Sequence, residues 1–142
     1  MPVNYECFIE LAKGSLENTG EQWTRNAISR AYYAMYHSAL RVVDGKIPTH
    51  DENGTKLPGG SHQRFYDYLC DGVASKDHNL DPVLTKKLGL KLKTNHYLRV
   101  SADYKLKEKI NRVSAISSIY DVEEVEMIAV KLLEQHSNLH TV

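Results

Sequence analysis

The clearest helical pattern in this chain is Glu21-Gln-Trp-Thr-Arg-Asn-Ala-Ile-Ser-Arg-Ala-Tyr-Tyr-Ala-Met-Tyr-His-Ser-Ala-Leu-Arg-Val-Val43. Apolar side chains recur in it at intervals of three or four residues, the spacing that places them on one face of an α-helix. Neither Gly nor Pro interrupts the segment. The pattern therefore predicts a long helix with an apolar face of Trp23, Ala27, Ile28, Ala31, Tyr32, Met35, Ala39 and Val42.

Helical spacing also occurs on both sides of this segment. Residues 4–18 carry an apolar stripe at helical intervals. Ser61 is the predicted N-cap of a third helix that ends near Val73. Asp81 followed by Pro82 is typical of a helix start, and it begins a helix that runs towards Leu98. Each of these segments is long enough to bury one apolar face.

The last third of the chain is less regular. Residues 99–120 contain several serines and have no clear apolar period. Asp121 and Glu124 resemble a capping box, which predicts a last helix from there to about Ser137. No segment alternates between apolar and polar residues as a strand does. The chain is therefore predicted to be all-α, an up-and-down bundle of four to five helices.

Gly and Pro are concentrated between the second and third predicted helices. Residues 44–60 contain Gly45, Pro48, Gly54, Pro58, Gly59 and Gly60 and show no apolar period. We expect one long loop at about 44–60, and a loop of this length in a small domain is usually functional or mobile. The length of 142 residues fits a single domain spanning residues 1–142.

Charge is unevenly distributed, although 18 Lys and Arg balance 18 Asp and Glu. Residues 86–112 hold nine basic and two acidic residues, so this segment carries +7 and the rest of the chain −7. Such a segment is suited to contact phosphates, and Tyr97 and Tyr104 within it offer rings for stacking on bases. A solvated helix face is the alternative explanation for the lysines.

Several kinds of site and location are disfavoured. The chain has no Cys-x-x-Cys, His-Glu-x-x-His or Glu-x-x-His motif and no glycine-rich phosphate loop, so we expect neither a metal nor a cofactor. Its longest stretch without a charged side chain, Ala31–Leu40, is too short to span a membrane. No signal-peptide pattern is present. We expect a cytoplasmic protein with Cys7 and Cys70 reduced.

Arg30 and His37 lie on one stripe of the helix predicted over residues 21–43, because seven residues are close to two turns. A histidine can take up or release a proton near neutral pH. An arginine can hold a phosphate and offset its charge. Metal-free RNA cleavage needs both functions. The alternative is that the neighbouring tyrosines pack in the core and that His37 is a satisfied buried histidine.

The segment Ser29-Arg-Ala-Tyr-Tyr-Ala-Met-Tyr-His-Ser-Ala39 resembles the signature of small stand-alone HEPN-domain proteins (higher eukaryotes and prokaryotes nucleotide-binding). Two further parts of that pattern follow in order, a helix opening with His62 and the element Leu98-Arg99-Val-Ser-Ala-Asp103-Tyr104. The resemblance covers roughly residues 5–138. It implies a helical bundle that forms a homodimer. Many members of the family are metal-independent RNA endonucleases of toxin–antitoxin or antiviral phage-defence modules, so the resemblance also implies this activity.

The resemblance also implies which residues act. In active HEPN nucleases an Arg-x(4–6)-His motif from both subunits lines a cleft at the dimer interface. The matching place here holds Arg99 and, where the histidine would stand, Tyr104, and tyrosine is a poor base at pH 7. Arg30 and His37 have a suitable spacing on the second helix instead. If the two pairs meet, Arg30, His37, Arg99, Asp103 and Tyr104 form a composite catalytic site.

Three functions remain open. The first is a metal-independent endoribonuclease in which a 2′-OH attacks the adjacent phosphate, with an antitoxin or a nucleotidyltransferase-like protein as a possible partner. The second is a non-catalytic module that binds a nucleotide or a protein, Tyr104 having replaced the nuclease histidine. The third is a helical interaction protein whose tyrosine-rich helix is a dimer interface. The nuclease prediction adds accessory residues (Tyr33, His62 and His96) and RNA-binding lysines (Lys91, Lys93, Lys105 and Lys107).

Ordinary structural roles are the alternative for several of these residues. Arg99 and Asp103 are four residues apart and suit an ion pair along one helix face. His62 suits a solvent-facing position at a helix start, and His96 an ordinary helix surface.

Overall fold

The computed structural model describes residues 4–140, with side chains up to residue 135, and this part of the chain forms six α-helices and no β-strand. They are α1 (Tyr5–Ser15), α2 (Glu21–Leu40), α3 (Ser61–Cys70), α4 (Val73–His78), α5 (Pro82–Tyr104) and α6 (Arg112–His140). A 3₁₀ turn over Arg41–Val43 extends α2. The all-α prediction is confirmed, but the helices number six rather than four to five, because α4 forms a helix of its own.

The start and end of α3 differ from the prediction. Gly60, not Ser61, is the N-cap residue, and it supplies no side-chain hydrogen bond. The helix ends at Cys70 instead of Val73, because Gly72 has a φ of 84°, which belongs to the left-handed region and stops a right-handed helix. The start of α5 is as predicted, since the Asp81 carboxylate accepts a hydrogen bond from the backbone N–H of Leu84 at 2.9 Å.

The segment that had no clear apolar period is mostly helical. α5 continues to Tyr104 and α6 already begins at Arg112, so Asp121 lies inside α6 and the predicted capping box is wrong. The Asp121 carboxylate instead accepts hydrogen bonds from Lys91 Nζ at 2.9 Å and from Asn95 Nδ2 at 3.0 Å. Ser118 Oγ donates to Asn95 Oδ1 at 3.0 Å. This polar network joins α5 to α6 beside the apolar cluster that holds Ala102 and Ala115, and its buried polar side chains explain the weak apolar period.

α2 is the central helix and packs against α1, α5 and α6. Most of its buried apolar side chains share one core with residues of the other helices, among them Phe65, Leu69, Leu88, Leu92, Val125 and Leu132. Ala27 and Ile28 belong to a smaller cluster with Ala102 and Ala115. Most of the predicted apolar face of α2 is buried, but Trp23 is 40% exposed, so the face is narrower at the start of the helix. This arrangement directs the tyrosines in the middle of α2 towards α3 and α5.

α3 and α5 approach each other closely at Gly89. A Cβ atom at this position would lie 2.6 Å from Cys70 Sγ and 2.9 Å from Leu69 Cβ, so only glycine fits without a shift of either helix. The two helices run in opposite directions, and the contact brings the start of α3, at His62, beside His96 of α5.

The connection between α2 and α3 contains no helix over residues 44–60 and has one isolated bridge, between His50 and Lys56. The Asp51 carboxylate accepts hydrogen bonds from the backbone N–H groups of Asn53 and Thr55, which closes a tight turn at the tip. Among the described residues, no helix combines the length and apolarity needed to cross a bilayer.

Candidate functional site

Three helices contribute to a cluster of tyrosine and imidazole rings. Tyr32 and Tyr36 come from α2, His62 from α3 and His96 from α5. Tyr32 Oη and His62 Nδ1 are 2.7 Å apart and share a hydrogen bond. The His62 and His96 rings stack with centroids 5.2 Å apart, and the Tyr36 ring lies 4.9 Å from that of His62. The two histidines predicted as accessory residues therefore meet, although they belong to different helices.

Arg99 lies beside this cluster and is almost completely buried, with 6% of its surface exposed. Its guanidinium carbon is 5.5 Å from the Tyr32 ring centre, 5.6 Å from that of Tyr33 and 6.0 Å from that of Tyr104. Asp103 Oδ2 is 3.6 Å from its Nη1 atom, which is too long for a hydrogen bond. Its buried Nε atom has no hydrogen-bond partner in the described part of the chain. A buried cation with so few acceptors is costly unless an anion joins it.

Arg30 belongs to the same cluster. Its guanidinium carbon lies 5.3 Å from the Tyr33 ring centre, on which Arg99 also packs. Arg30 Nη2 donates to Ser29 Oγ at 3.2 Å, and that hydroxyl donates to Asp103 Oδ2 at 3.2 Å. Within residues 4–135, the buried Nε of Arg30 is also without a partner. The two predicted arginines and Asp103 therefore come together around one tyrosine.

His37 lies at the margin of the cluster rather than beside Arg99. It is exposed and stacks on Phe8, with ring centres 5.5 Å apart and an angle of 11° between the planes. Tyr36 contacts both His37, at 5.3 Å, and His62, at 4.9 Å. The Arg30 guanidinium lies 5.9 Å from the Phe8 ring centre. His37 is therefore not a buried core histidine, and it faces the same group of rings as Arg30.

Burial and the nearby Arg99 keep the two inner imidazoles uncharged. Burial lowers the pKa of His62 to about 4, with further lowering by the charge of Arg99 and by His96. Burial and Arg99 likewise lower the pKa of His96. Burial raises the pKa of Tyr32, so its hydroxyl stays protonated at neutral pH. The site therefore pairs permanently charged guanidinium groups with neutral imidazoles that can accept a proton or a hydrogen bond.

The predicted RNA-binding lysines do not share one surface. Lys91 Nζ lies 2.9 Å from Asp121 Oδ1 and 2.8 Å from Glu124 Oε2 on α6. These contacts raise the pKa of Lys91. Its charge is thus balanced by the packing of α5 against α6.

The other predicted lysines are exposed. Lys93 Nζ lies 5.9 Å from the ring centre of Tyr66, a buried tyrosine whose ring is 5.8 Å from that of His96. Lys93 is therefore close to the cluster on its α3 side. Lys105 and Lys107 lie in the turn between α5 and α6.

Several members of the cluster are not recognisable as site residues from the sequence. The pattern predicts that Tyr32 and Tyr36 pack in the core, and it predicts no site role for Ser29 and Phe8. The repeated tyrosines at helical spacing were a usable signal, because they form one aromatic wall on α2. The polar link through Ser29 depends on how α2 meets α5, which no local pattern reveals.

The described residues contain no group of three or more His, Cys, Asp or Glu side chains arranged to hold a metal ion. The chemistry that this arrangement offers is anion binding by two arginines next to uncharged imidazoles.

Comparisons with protein-family models, curated proteins and solved structures give no match. The similarity of residues 29–39 and 98–104 to HEPN-domain proteins therefore stays a prediction.

Proposed function

We propose that the cluster around Arg99 binds a phosphodiester of RNA and cleaves it without a metal ion, as an endoribonuclease of a toxin–antitoxin or phage-defence module. The buried Arg99 guanidinium carries this proposal, because its Nε has no partner among the described residues and its one nearby carboxylate is 3.6 Å away. A phosphate against the guanidinium would offset this poorly compensated charge. Arg30 has a similarly unpaired Nε within that part of the chain and supports a two-arginine clamp.

The proposed reaction uses the residues around that clamp. Arg99 and Arg30 hold the phosphate oxygens and offset the charge that grows on them. The reaction uses the His62 tautomer whose Nδ1–H donates to Tyr32 Oη, because its Nε2 can then take the proton of the 2′-OH. The 2′-oxygen attacks phosphorus and the bond to the 5′-oxygen breaks, leaving a 2′,3′-cyclic phosphate. His37, which is exposed at the margin of the cluster, gives a proton to the departing 5′-oxygen.

The test is RNA cleavage in EDTA by the parent protein and by variants of these residues. We expect cleavage of mixed-sequence RNA, lowered about 10²–10⁴-fold in His62→Ala and about 10²–10³-fold in Arg99→Gln. His50→Ala is the matched control, because His50 is exposed in the 44–60 loop. This variant should cleave RNA as the parent does. The same RNA with 2′-deoxy sugars should bind and stay intact.

A parent protein that cleaves no RNA under these conditions contradicts the nuclease proposal. Equal activity of His62→Ala and the parent would remove His62 from the reaction. If His37→Ala cleaves no RNA and His62→Ala cleaves as the parent does, the Arg30–His37 pair, not His62, carries out the proton transfer.

The second candidate function is binding without cleavage, either of a nucleotide or of a protein partner. It is supported by the low pKa of His62, since an imidazole with a pKa of about 4 is a weak base at pH 7, and by Tyr104 at the position of the family histidine. Binding of RNA or of a nucleotide by the parent protein, lost in Arg99→Gln and accompanied by no cleavage, would favour this function.

Two kinds of partner belong to the proposal. The first is a second copy of this chain, as the resemblance to HEPN-domain proteins implies. The other is an antitoxin or a nucleotidyltransferase-like protein that would block the cluster. The acidic regions outside residues 86–112 are suited to keep RNA away from the remaining surfaces.

A further inference from the structure

We infer that Tyr97 and Tyr104 are base-stacking subsites for the two nucleotides on either side of the phosphate held by Arg99. This inference rests on the proposed function, because it adds the bases to the phosphate already assigned. It also specifies the substrate as single-stranded RNA, whose bases are free to leave their neighbours and stack on protein rings.

The two tyrosines occupy one stripe of α5. They are seven residues apart, which is two helical turns and about 10 Å along the axis. Tyr97 is 58% exposed and Tyr104 is 71% exposed, in contrast to the buried Tyr32. The Tyr97 ring lies 6.1 Å from that of His96, and the Tyr104 ring centre lies 6.0 Å from the Arg99 guanidinium carbon. Tyr104 is therefore an exposed ring next to Arg99, and Tyr97 is an exposed ring next to His96.

The spacing of the two tyrosines along α5 bears on how a nucleic acid would fit. Their positions are about 10 Å apart along the helix axis, about three times the ~3.4 Å between stacked bases. Positions with this spacing suit two bases that have turned away from each other, one on each ring. Separation of the bases also allows the 2′-oxygen to move in line with the bond to the 5′-oxygen, which the proposed cleavage requires.

A cation accompanies the Tyr97 subsite. Lys93 is exposed, lies one helical turn before Tyr97 and is 5.9 Å from the Tyr66 ring. It is suited to contact the next phosphate of a strand whose base stacks on Tyr97. The strand would then cross α5 from Lys93 and Tyr97 towards Tyr104.

The test measures binding of a fluorescein-labelled 2′-O-methyl RNA octamer, which lacks the attacking hydroxyl and stays intact, by anisotropy in EDTA. We expect Tyr97→Ala and Tyr104→Ala each to raise Kd about tenfold, since stacking of one base contributes about 1–3 kcal/mol. Tyr97→Phe and Tyr104→Phe should bind as the parent does, because they keep the ring. The matched control is Trp23→Ala on α2, an aromatic side chain outside the candidate site that is 40% exposed and should leave Kd unchanged.

A second oligonucleotide, with abasic sugars throughout, separates stacking from a general structural effect. The parent and the two alanine variants should bind it equally, because it has no base to stack. Unchanged Kd for the normal octamer in both alanine variants, with weaker binding by Arg99→Gln, would overturn the subsites and leave the proposed function standing. Equal losses with the normal and the abasic strands would also overturn the subsites. No RNA binding by the parent would overturn both proposals.

Discussion

At the scale of single residues, Arg99 sets the chemistry of the candidate site. Its guanidinium is buried against the Tyr32 and Tyr33 rings and has a single carboxylate nearby. The same charge lowers the pKa of His62 and of His96. A bound phosphate would reduce this effect and make the imidazoles more basic, because a negative charge favours the protonated form. Substrate binding would thus prepare the general base.

His62 should make the protein less stable in acid. Its pKa is about 4 in the folded protein and about 6.5 without the protein environment. As the pH falls from about 6.5 to about 4, the unfolded chain takes up a proton that the folded protein does not, so the free energy of unfolding decreases over this window. We expect a decrease of roughly 1–2 kcal/mol, less than full burial would give, because the imidazole is half exposed and screened by solvent.

Urea denaturation at about pH 7, above that window, and at about pH 4.5, near its lower end, measures this effect. The stability difference between the two pH values should shrink in His62→Gln and stay unchanged in the exposed control His50→Gln. An identical pH dependence in His62→Gln and the parent would show that His62 does not titrate as expected.

At the scale of elements, the contact between α3 and α5 holds the two inner histidines together. α3 contributes His62 and α5 contributes His96, and the helices come closest at Gly89. Helix interiors rarely favour glycine, since it costs about 1 kcal/mol relative to alanine. The close approach of Cys70 and Leu69 explains why glycine is present here. The geometry of the imidazole pair therefore depends on a residue that takes no part in the proposed chemistry.

Gly89→Ala should destabilise the protein by about 1–3 kcal/mol, because the new methyl group would overlap Cys70 Sγ and Leu69 Cβ and force the helices apart. Urea denaturation measures the change. Gly14→Ala on α1 is the matched control, since its Cβ would meet no atom within 4 Å. It should be neutral or stabilising by up to about 1 kcal/mol. Equal stability of Gly89→Ala and the parent would contradict the close contact.

At the scale of the whole molecule, α6 carries a row of exposed apolar side chains. Its members share one side of the helix and are Val113, Ile116, Tyr120, Met127 and Val130. Contiguous exposed apolar side chains commonly mark an interaction surface. The resemblance to HEPN-domain proteins implies a homodimer, and this row is the surface on which we would test it.

We expect light scattering to give a dimer for the parent protein and a monomer for the double variant Ile116→Glu with Met127→Glu, because two carboxylates in an apolar interface lose their hydration. Val83→Glu is the control, since Val83 is an exposed apolar residue on α5 and should leave the mass unchanged. A monomeric parent at high concentration would contradict the dimer. A double variant that is still a dimer would show that the interface lies on another surface.

The helices differ in how well the sequence predicted them. The sequence predicts α2 well, because its apolar spacing is continuous. Most of the predicted apolar face is buried in the structure. The predicted start of α6 is too late, because Ser118 interrupts the apolar pattern and Asp121 resembles a capping residue. They hydrogen-bond to Asn95, and Asp121 also to Lys91, on α5, and a polar side chain at a buried position is explained only by the partner that satisfies it.

The amino-acid sequence alone determined the helical class and the residue types of the candidate site, because helical spacing and side-chain chemistry are local properties. It did not determine which of these residues meet. The tertiary structure brought Arg30 to Arg99 through Ser29 and Asp103. It also placed His62 and His96, rather than His37, next to that guanidinium. Contacts between helices depend on packing over the whole core, and the burial and charge that set an imidazole's pKa arise from those same contacts.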